Sequence, residues 1–228
     1  MNNYKYLLFD LDGTVTDSGP GIMNAAAYAL KSYGIVEKDP DRLRLFVGPP
    51  LDASFIERYS FSKEKAPEAI AKFREYYNVT GIFENSVYPG YEELLKELKD
   101  NGHILAIASS KPQVMIYRVL EHFDIQKYFD VIVGCELDGR RSQKSEVIDE
   151  VLKQLSELES KASQSPVTVS DIKKKAVMIG DREYDVKGAR AFDLPCVGVT
   201  YGYGTRAELE AAGADYIADT TDDLKKIL

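Results

Sequence analysis

Tyr6-Leu7-Leu8-Phe9-Asp10-Leu11-Asp12-Gly13-Thr14 is a four-residue apolar run that stops abruptly on two acids and a glycine. A run that is apolar without alternation and ends in turn residues reads as a buried strand of a parallel sheet covered on both faces. Runs at 104–108, 131–133, 176–179 and 196–199 read the same way, and a further short strand is expected near Tyr216-Ile217. Helical spacing lies between most of them, as in Leu94, Leu95 and Leu98, or Val147, Val151, Leu152 and Leu155. Hairpin signals are lacking. The pattern predicts an α/β fold built on a doubly wound, mainly parallel, Rossmann-like sheet.

One connection is out of proportion. The interval 10–103 is several times what a crossover helix needs. It carries helical stripes: Ile22, Ala25, Ala26, Ala29, Leu30 and Tyr33; then Leu43, Phe46 and Val47; then Phe55, Ile56 and Tyr59; then Ala66, Ile70, Phe73, Tyr76 and Tyr77. Turn-rich segments bound the interval at 16–20 and 85–90. The expected organisation is a core of residues 1–15 and 87–228, with an all-helical module, 16–86, inserted after the first strand. The segment 156–171 holds five serines and few apolar residues, and is expected to be a flexible surface loop.

Composition narrows the function. Of 228 residues, 44% are hydrophobic, so a sizeable core is available and disorder is excluded. Lys plus Arg number 29 against 37 Asp plus Glu, a net charge of −8. An acidic chain without a basic stripe is a poor match for a nucleic-acid polymer. Apolar runs are too short for a membrane span or for a signal peptide. Cys135 and Cys196 stand apart in apolar stretches, as small core residues of a reduced, cytoplasmic protein. With two histidines, the sequence leaves carboxylates as the main resource for chemistry.

Those carboxylates fall just beyond strand ends, where open α/β sheets bind ligands. Asp10-Leu11-Asp12-Gly13-Thr14 follows the first strand and Ser109-Ser110-Lys111-Pro112 the second. Lys144 lies beyond the third, and Gly180-Asp181-Arg182-Glu183-Tyr184-Asp185 follows the fourth. Oxygen-only ligands suit Mg²⁺, which is typically held by carboxylates plus a substrate phosphate. An amine and a hydroxyl beside them suit the phosphate itself. A carboxylate can attack phosphorus and form an acyl phosphate, and Asp10, directly on the strand end, is the better-placed nucleophile. Asp12 can then protonate the leaving alcohol. Taken singly, Asp12-Gly13 reads as a turn, Ser109 as a helix cap, Lys144 as a solvated surface residue and Asp185 as a helix N-terminal acid. As an ordered set at strand ends they point to one site.

The ordered set resembles the four motifs of the haloacid dehalogenase superfamily in its phosphatase form. Phe9 to Asp17 resembles the first motif, Ser109-Ser110-Lys111-Pro112 the second, Lys144 the third and Gly180-Asp181 through Asp185 the fourth. Gly48-Pro49-Pro50-Leu51 and Gly198-Val199-Thr200-Tyr201-Gly202 are similar to the phosphoglycolate-phosphatase-like branch. The resemblance implies Asp10 as nucleophile and Asp12 as acid/base. It implies Mg²⁺ held by Asp10, the Asp12 backbone carbonyl and Asp181, with Asp185 in support. It gives Ser109, the Ser110 amide and Lys144 to the phosphoryl oxygens, with Lys153 as the alternative third-motif lysine. It makes the helical module a mobile cap and the partner a small phosphorylated metabolite, phosphoglycolate or a nucleoside monophosphate. Departures are Ser110, where Asn or Gly is common, and the long interval from Lys144 to Asp181. A phosphomutase shares the whole core and is the nearest rival. A phospho-accepting regulatory module also combines acids, hydroxyl and lysine, but has no use for a large cap or a second acid. A carbon–halogen hydrolase would need neither Mg²⁺ nor Asp12.

Overall fold

The computed structural model describes residues 4–49, 51–138 and 140–228; Pro50 of the expected cap turn lies outside them. The chain divides into two compact units, Met1–Val15 with Val87–Leu228, and Thr16–Ser86. In chain order the strands are β1 (Tyr6–Phe9), β2 (Thr16–Asp17), β3 (Ser86–Val87), β4 (Ile104–Pro112), β5 (Val131–Cys135), β6 (Ala176–Gly180), β7 (Cys196–Val199) and β8 (Tyr216–Ala218). Six form one sheet in the order β5-β4-β1-β6-β7-β8, with every described pairing parallel. β2 and β3 form a separate two-stranded ribbon that the sequence reading did not foresee.

The first unit follows from its strand sequences. All four side chains of β1, and all five residues of β6, are buried, because helices cover both faces of the sheet. Counting four helices in the other unit first, helices α5 (Tyr91–Asp100), α6 (Gln113–His122), α7 (Lys144–Ser163), α8 (Val169–Lys173), α9 (Glu183–Arg190), α10 (Arg206–Ala212) and α11 (Thr221–Ile227) belong to this unit. Val147, Ile148, Val151, Leu152 and Leu155 of α7 join β4, β5 and β6 residues in one buried cluster. The strand order reverses at β1: the chain builds β4 and β5 on one side, then returns to place β6, β7 and β8 on the other. That reversal opens a crevice at the carboxyl ends of β1, β4 and β6.

The second unit consists of α1 (Gly19–Ser32), α2 (Pro40–Arg44), α3 (Leu51–Tyr59) and α4 (Ala66–Tyr77), with a 3₁₀ turn at Gly81–Phe83. Ala25, Ala29 and Leu30 of α1 are buried with Ala69 and Phe73 of α4. Phe55 stacks edge-on with Phe46 at 5.0 Å between centroids. The second predicted stripe is corrected: α2 spans five residues, and Phe46 and Val47 are buried beyond its end rather than on a helix face. Of the basic residues in this unit, Arg42 pairs with Glu37 at 3.1 Å and lies over the Tyr59 ring.

The serine-rich segment 156–171 is not a flexible loop. α7 continues to Ser163 and α8 takes up Val169–Lys173. The hydroxyls that suggested a loop bond the backbone instead. Ser156 and Ser160 both donate to the Val167 carbonyl, at 2.6 and 3.3 Å, and Val167 N donates back to Ser160 Oγ at 2.9 Å. Val167 and Val169 pack against the core cluster, so the segment has apolar anchorage that few residues in its sequence signal. β4 is also longer than expected, because after a register shift between Ala108 and Pro112 it pairs again with β5 at Pro112–Cys135. Among the described residues, no helix is long and apolar enough to cross a membrane.

Candidate active site

β1 is the reference for the site. Phe9 stands opposite Ile107 of β4 and Ile179 of β6, so the residues that follow each strand emerge at one level. Asp10 N donates to the Ile179 carbonyl at 2.9 Å, which extends the ladder one residue and fixes the Asp10 backbone. Asp10, Asp181 and Asp185 each present a carboxylate oxygen within 4.8 Å of the others, and all three are buried. Gly180 is what allows this. A β-carbon there would stand 2.2 Å from Asp185 Cγ, so the missing side chain is the space that Asp185 fills.

Lys144, the first residue of α7, enters this cluster. Its ammonium donates to Asp10 Oδ1 at 2.7 Å and to the Ala108 carbonyl at 2.9 Å, and pairs with Asp185 Oδ1 at 2.8 Å. These are two hydrogen bonds and one ion pair, and the buried Asp185 Oδ1 has no hydrogen-bond partner. Its stem fits because α9 carries Gly188, where a β-carbon would stand 2.7 Å from Lys144 Cγ. Asp185 serves twice: Oδ2 accepts from Arg182 N at 3.1 Å and caps α9, while Oδ1 faces Lys144. Lys153, the alternative lysine, is on the exposed side of α7 and pairs with Asp149.

Asp181 is fully buried. Its Oδ2 accepts from Tyr203 N at 2.7 Å, and Oδ1 has no hydrogen-bond partner. Gly13, at φ +87°, and Gly202 press on it; a β-carbon at either would lie 2.2 to 2.5 Å from its Oδ2. An unpartnered buried carboxylate oxygen costs free energy unless a cation or donor meets it. Three carboxylates against one ammonium also leave two negative charges uncompensated. Both observations fit an oxygen-ligated divalent cation.

The electrostatics agree. Burial pushes the Asp10 carboxyl up to about 6, even though Lys144 pulls the other way. Burial, then the neighbouring Asp185 and Asp10, hold Asp181 well above the usual carboxylate range. For Lys144, burial alone would favour the neutral amine, but Asp10 and Asp185 outweigh it and the net shift is upward. The carboxyls are therefore raised by desolvation and like charge, and the amine is held charged by the same neighbours.

Asp12 lies apart from the three-acid cluster. Its two oxygens accept from Lys111 Nζ at 3.0 and 3.1 Å. Ser109 is buried and Ser110 exposed at the end of β4. Ser109 does not cap α6, whose N-cap is Pro112; its hydroxyl accepts from Lys111 N at 3.3 Å. Sequence reasoning gave no part to Lys111, Gly188 or Tyr203 N. Arg182 is partly buried and paired with Glu208 at 2.8 Å, bracing the start of α9 from α10. The one sequence signal for Lys111 was its position immediately after Ser109-Ser110.

Comparison with known proteins agrees with this arrangement. The haloacid dehalogenase-like hydrolase family matches residues 7–199. A 5'-nucleotidase of Pseudomonas aeruginosa is 39% identical over 99% of this chain and 96% of its own length. Tyrosine-protein kinase PtkA of Mycobacterium tuberculosis is 35% identical over 98% of this chain and 72% of its own. A crystal structure of a predicted phosphatase from Clostridium acetobutylicum aligns with a TM-score of 0.88 at 46% identity, covering 98% of this chain and 97% of that one. A parallel sheet that reverses at its first strand, acids at its mouth and similarity along nearly the whole length have one common explanation: the chain belongs to the haloacid dehalogenase-like hydrolase family, as one of its phosphatases.

Proposed function

We propose that the protein hydrolyses phosphate monoesters of small metabolites through an aspartyl-phosphate on Asp10, and that nucleoside 5'-monophosphates are its substrates. The observation that carries the mechanism is Asp10 itself. It is a buried carboxylate on the end of β1, oriented by Lys144 and flanked by Asp181 and Asp185. One Asp10 oxygen attacks phosphorus while the bond to the ester oxygen breaks, and Asp12 delivers the proton to the departing alcohol. Water then attacks the acyl phosphate, gives its proton to Asp12, and Asp10 is regenerated. Ser109, the Ser110 amide and Lys144 hold the phosphoryl oxygens. Asp10, the Asp12 carbonyl and Asp181, with Asp185 in support, would hold Mg²⁺, which offsets the charge of the carboxylates so that a phosphate dianion can approach. The helical unit 16–86 serves as the cap, with 16–19 and 85–90 as its hinges. The nucleotide preference rests on similarity to the 5'-nucleotidase, which extends over 99% of this chain.

The test is a panel assayed for released phosphate with and without Mg²⁺: 5'-AMP, 3'-AMP, phosphoglycolate, glucose 6-phosphate and glucose 1-phosphate. The expected result is Mg²⁺-dependent hydrolysis, with kcat/KM for 5'-AMP at least about tenfold above the others, a pocket-scale discrimination. Hydrolysis without metal overturns the metal assignment, and isomerisation of glucose 1-phosphate in place of hydrolysis makes the protein a mutase. Transfer of label from ATP to a tyrosine peptide, with no ester cleaved, favours the activity named for the mycobacterial relative.

A second expectation concerns the metal-free protein. Asp10 is raised to about 6 by burial, so its ionised form opposes folding above that pH and the opposition fades as pH falls through it. Below that pH, Mg²⁺ has to displace the proton that Asp10 holds. The rise in Tm on adding Mg²⁺ is therefore expected to be large at pH 8 and to shrink toward pH 5. A Tm increment independent of pH over that range sinks the assignment of Asp10 to the ion.

A further inference from the structure

Two lysines divide the two aspartates of the first loop between them. Lys144 holds Asp10, and Lys111 holds Asp12. The second pair is unusual in its placement. The Lys111 side chain is 5% exposed while that of Asp12 is 18% exposed. A lysine has a long flexible stem and usually carries its charge to water, so burying one costs several kcal/mol unless its partner is well placed. Here the ammonium meets both oxygens of a single carboxylate, at 3.0 and 3.1 Å.

The backbone beneath Lys111 is fixed from two sides. Its N–H donates to Ser109 Oγ. Its carbonyl lies against β5 at Gly134, where a β-carbon would come within 2.5 Å of it. The register shift of β4 between Ala108 and Pro112 covers this stretch and sets Lys111 on the buried side while Ser110 is exposed. The ammonium is thus delivered from a fixed strand end to the Asp12 side chain in the loop after β1.

From this geometry we infer that Lys111 is a positioning residue, which fixes the Asp12 carboxylate at the place from which a proton reaches the leaving group. The inference rests on the phosphatase reading, in which Asp12 protonates that group. Proton transfer depends steeply on donor–acceptor geometry, so a carboxyl group free to rotate delivers its proton less often once it carries one. The consequence is specific to the first step: phosphoryl transfer to Asp10, which kcat/KM reads, depends on Lys111 only where the leaving group needs a proton, whereas hydrolysis of the acyl phosphate is common to all substrates.

The experiment compares the parent protein, Lys111→Met, Lys111→Arg, Asp12→Asn and the Lys111→Met/Asp12→Asn double variant on an alkyl phosphate, p-nitrophenyl phosphate and acetyl phosphate. Lys111→Met keeps the length of the stem and removes the charge. Its kcat/KM on the alkyl phosphate is expected to fall by about 10²-fold, the lower end of what general acid catalysis contributes. On p-nitrophenyl and acetyl phosphate the loss in kcat/KM is expected to stay within about threefold, because those leaving groups depart as stable anions. Lys111→Arg, able to grip a carboxylate with two parallel donors, should recover much of the alkyl rate. In the double variant, Lys111→Met should add almost nothing to the loss already caused by Asp12→Asn. Thermal melts and Mg²⁺ titrations of each variant give the structural baseline, and the Mg²⁺ affinity of Lys111→Met is expected to be unchanged. Equal proportional losses on all three esters, additive losses in the double variant, or failure of Arg to rescue overturn the positioning role and leave a merely structural ion pair. A parent protein that cleaves none of the esters overturns the phosphatase reading instead, and the two failures are told apart by that control.

Discussion

Asp10→Asn is expected to fold, to be at least as stable as the parent without metal, and to lose on the order of 10⁴-fold or more in kcat on every ester. The activity loss follows from the proposed role of Asp10, because an amide is a very poor nucleophile at phosphorus. The stability expectation follows from the cluster. Asp10 is one of three buried carboxylates facing a single ammonium, and burial holds its carboxyl up to about 6. Replacing it with a neutral isostere removes one of the uncompensated charges and keeps an oxygen for Lys144 to donate to. Size, backbone hydrogen bond and rotamer are all retained. Circular dichroism and melting curves establish the fold, and steady-state kinetics on several esters read the chemistry. Turnover within about tenfold of the parent, in a folded and Mg²⁺-loaded protein, excludes the covalent route through Asp10.

Lys144→Met acts in the opposite direction on the same cluster. The ammonium is nine-tenths buried, donates to Asp10 and the Ala108 carbonyl, and pairs with Asp185. Removing one partner of a buried ion pair leaves its counter-charges exposed to a low dielectric, at a cost of about 3–5 kcal/mol. For a chain of this size that corresponds to a fall in Tm of roughly 10 °C. The sign with pH is set by the shifts. Neighbouring carboxylates raise the Lys144 ammonium above its usual value, so it is fully charged and fully stabilising at neutral pH. Without it, the carboxylates can relieve their repulsion only by taking up protons. The deficit of Lys144→Met against the parent is therefore expected to be largest at pH 8 without metal. It should narrow toward pH 5 and narrow again when Mg²⁺ is added. Activity should fall by at least about 10²-fold, since in the proposed mechanism the amine that pairs with Asp10 also holds a phosphoryl oxygen. A Tm within about 2 °C of the parent at pH 8, or a deficit that ignores pH, shows that the pair contributes no stability.

The sequence by itself determined where the sheet lies and where its reactive ends are. Apolar runs of four or five residues stopped by Asp, Gly or Ser are local signals, set by the surface each residue shows to its immediate neighbours. Hence β1, β6 and β7 were legible, as were Asp10 and Asp181 directly beyond strand ends and the helical character of 16–86. Local signals failed where side chains acted on distant backbone. The serines of α7 resembled a loop because nothing in the sequence shows that Ser156 and Ser160 meet Val167. Only the tertiary structure decided which acid each lysine serves. Lys111 reaches Asp12 across 99 positions and Lys144 reaches Asp10 across 134, and both pairings depend on β4 lying beside β1. The same holds for Gly180 and Gly188, whose importance is the volume they leave for Asp185 and Lys144. Strand adjacency and shared volume are properties of the packed sheet as a whole. A window of sequence carries periodicity, but it does not carry the identity of the residue on the other side of the gap.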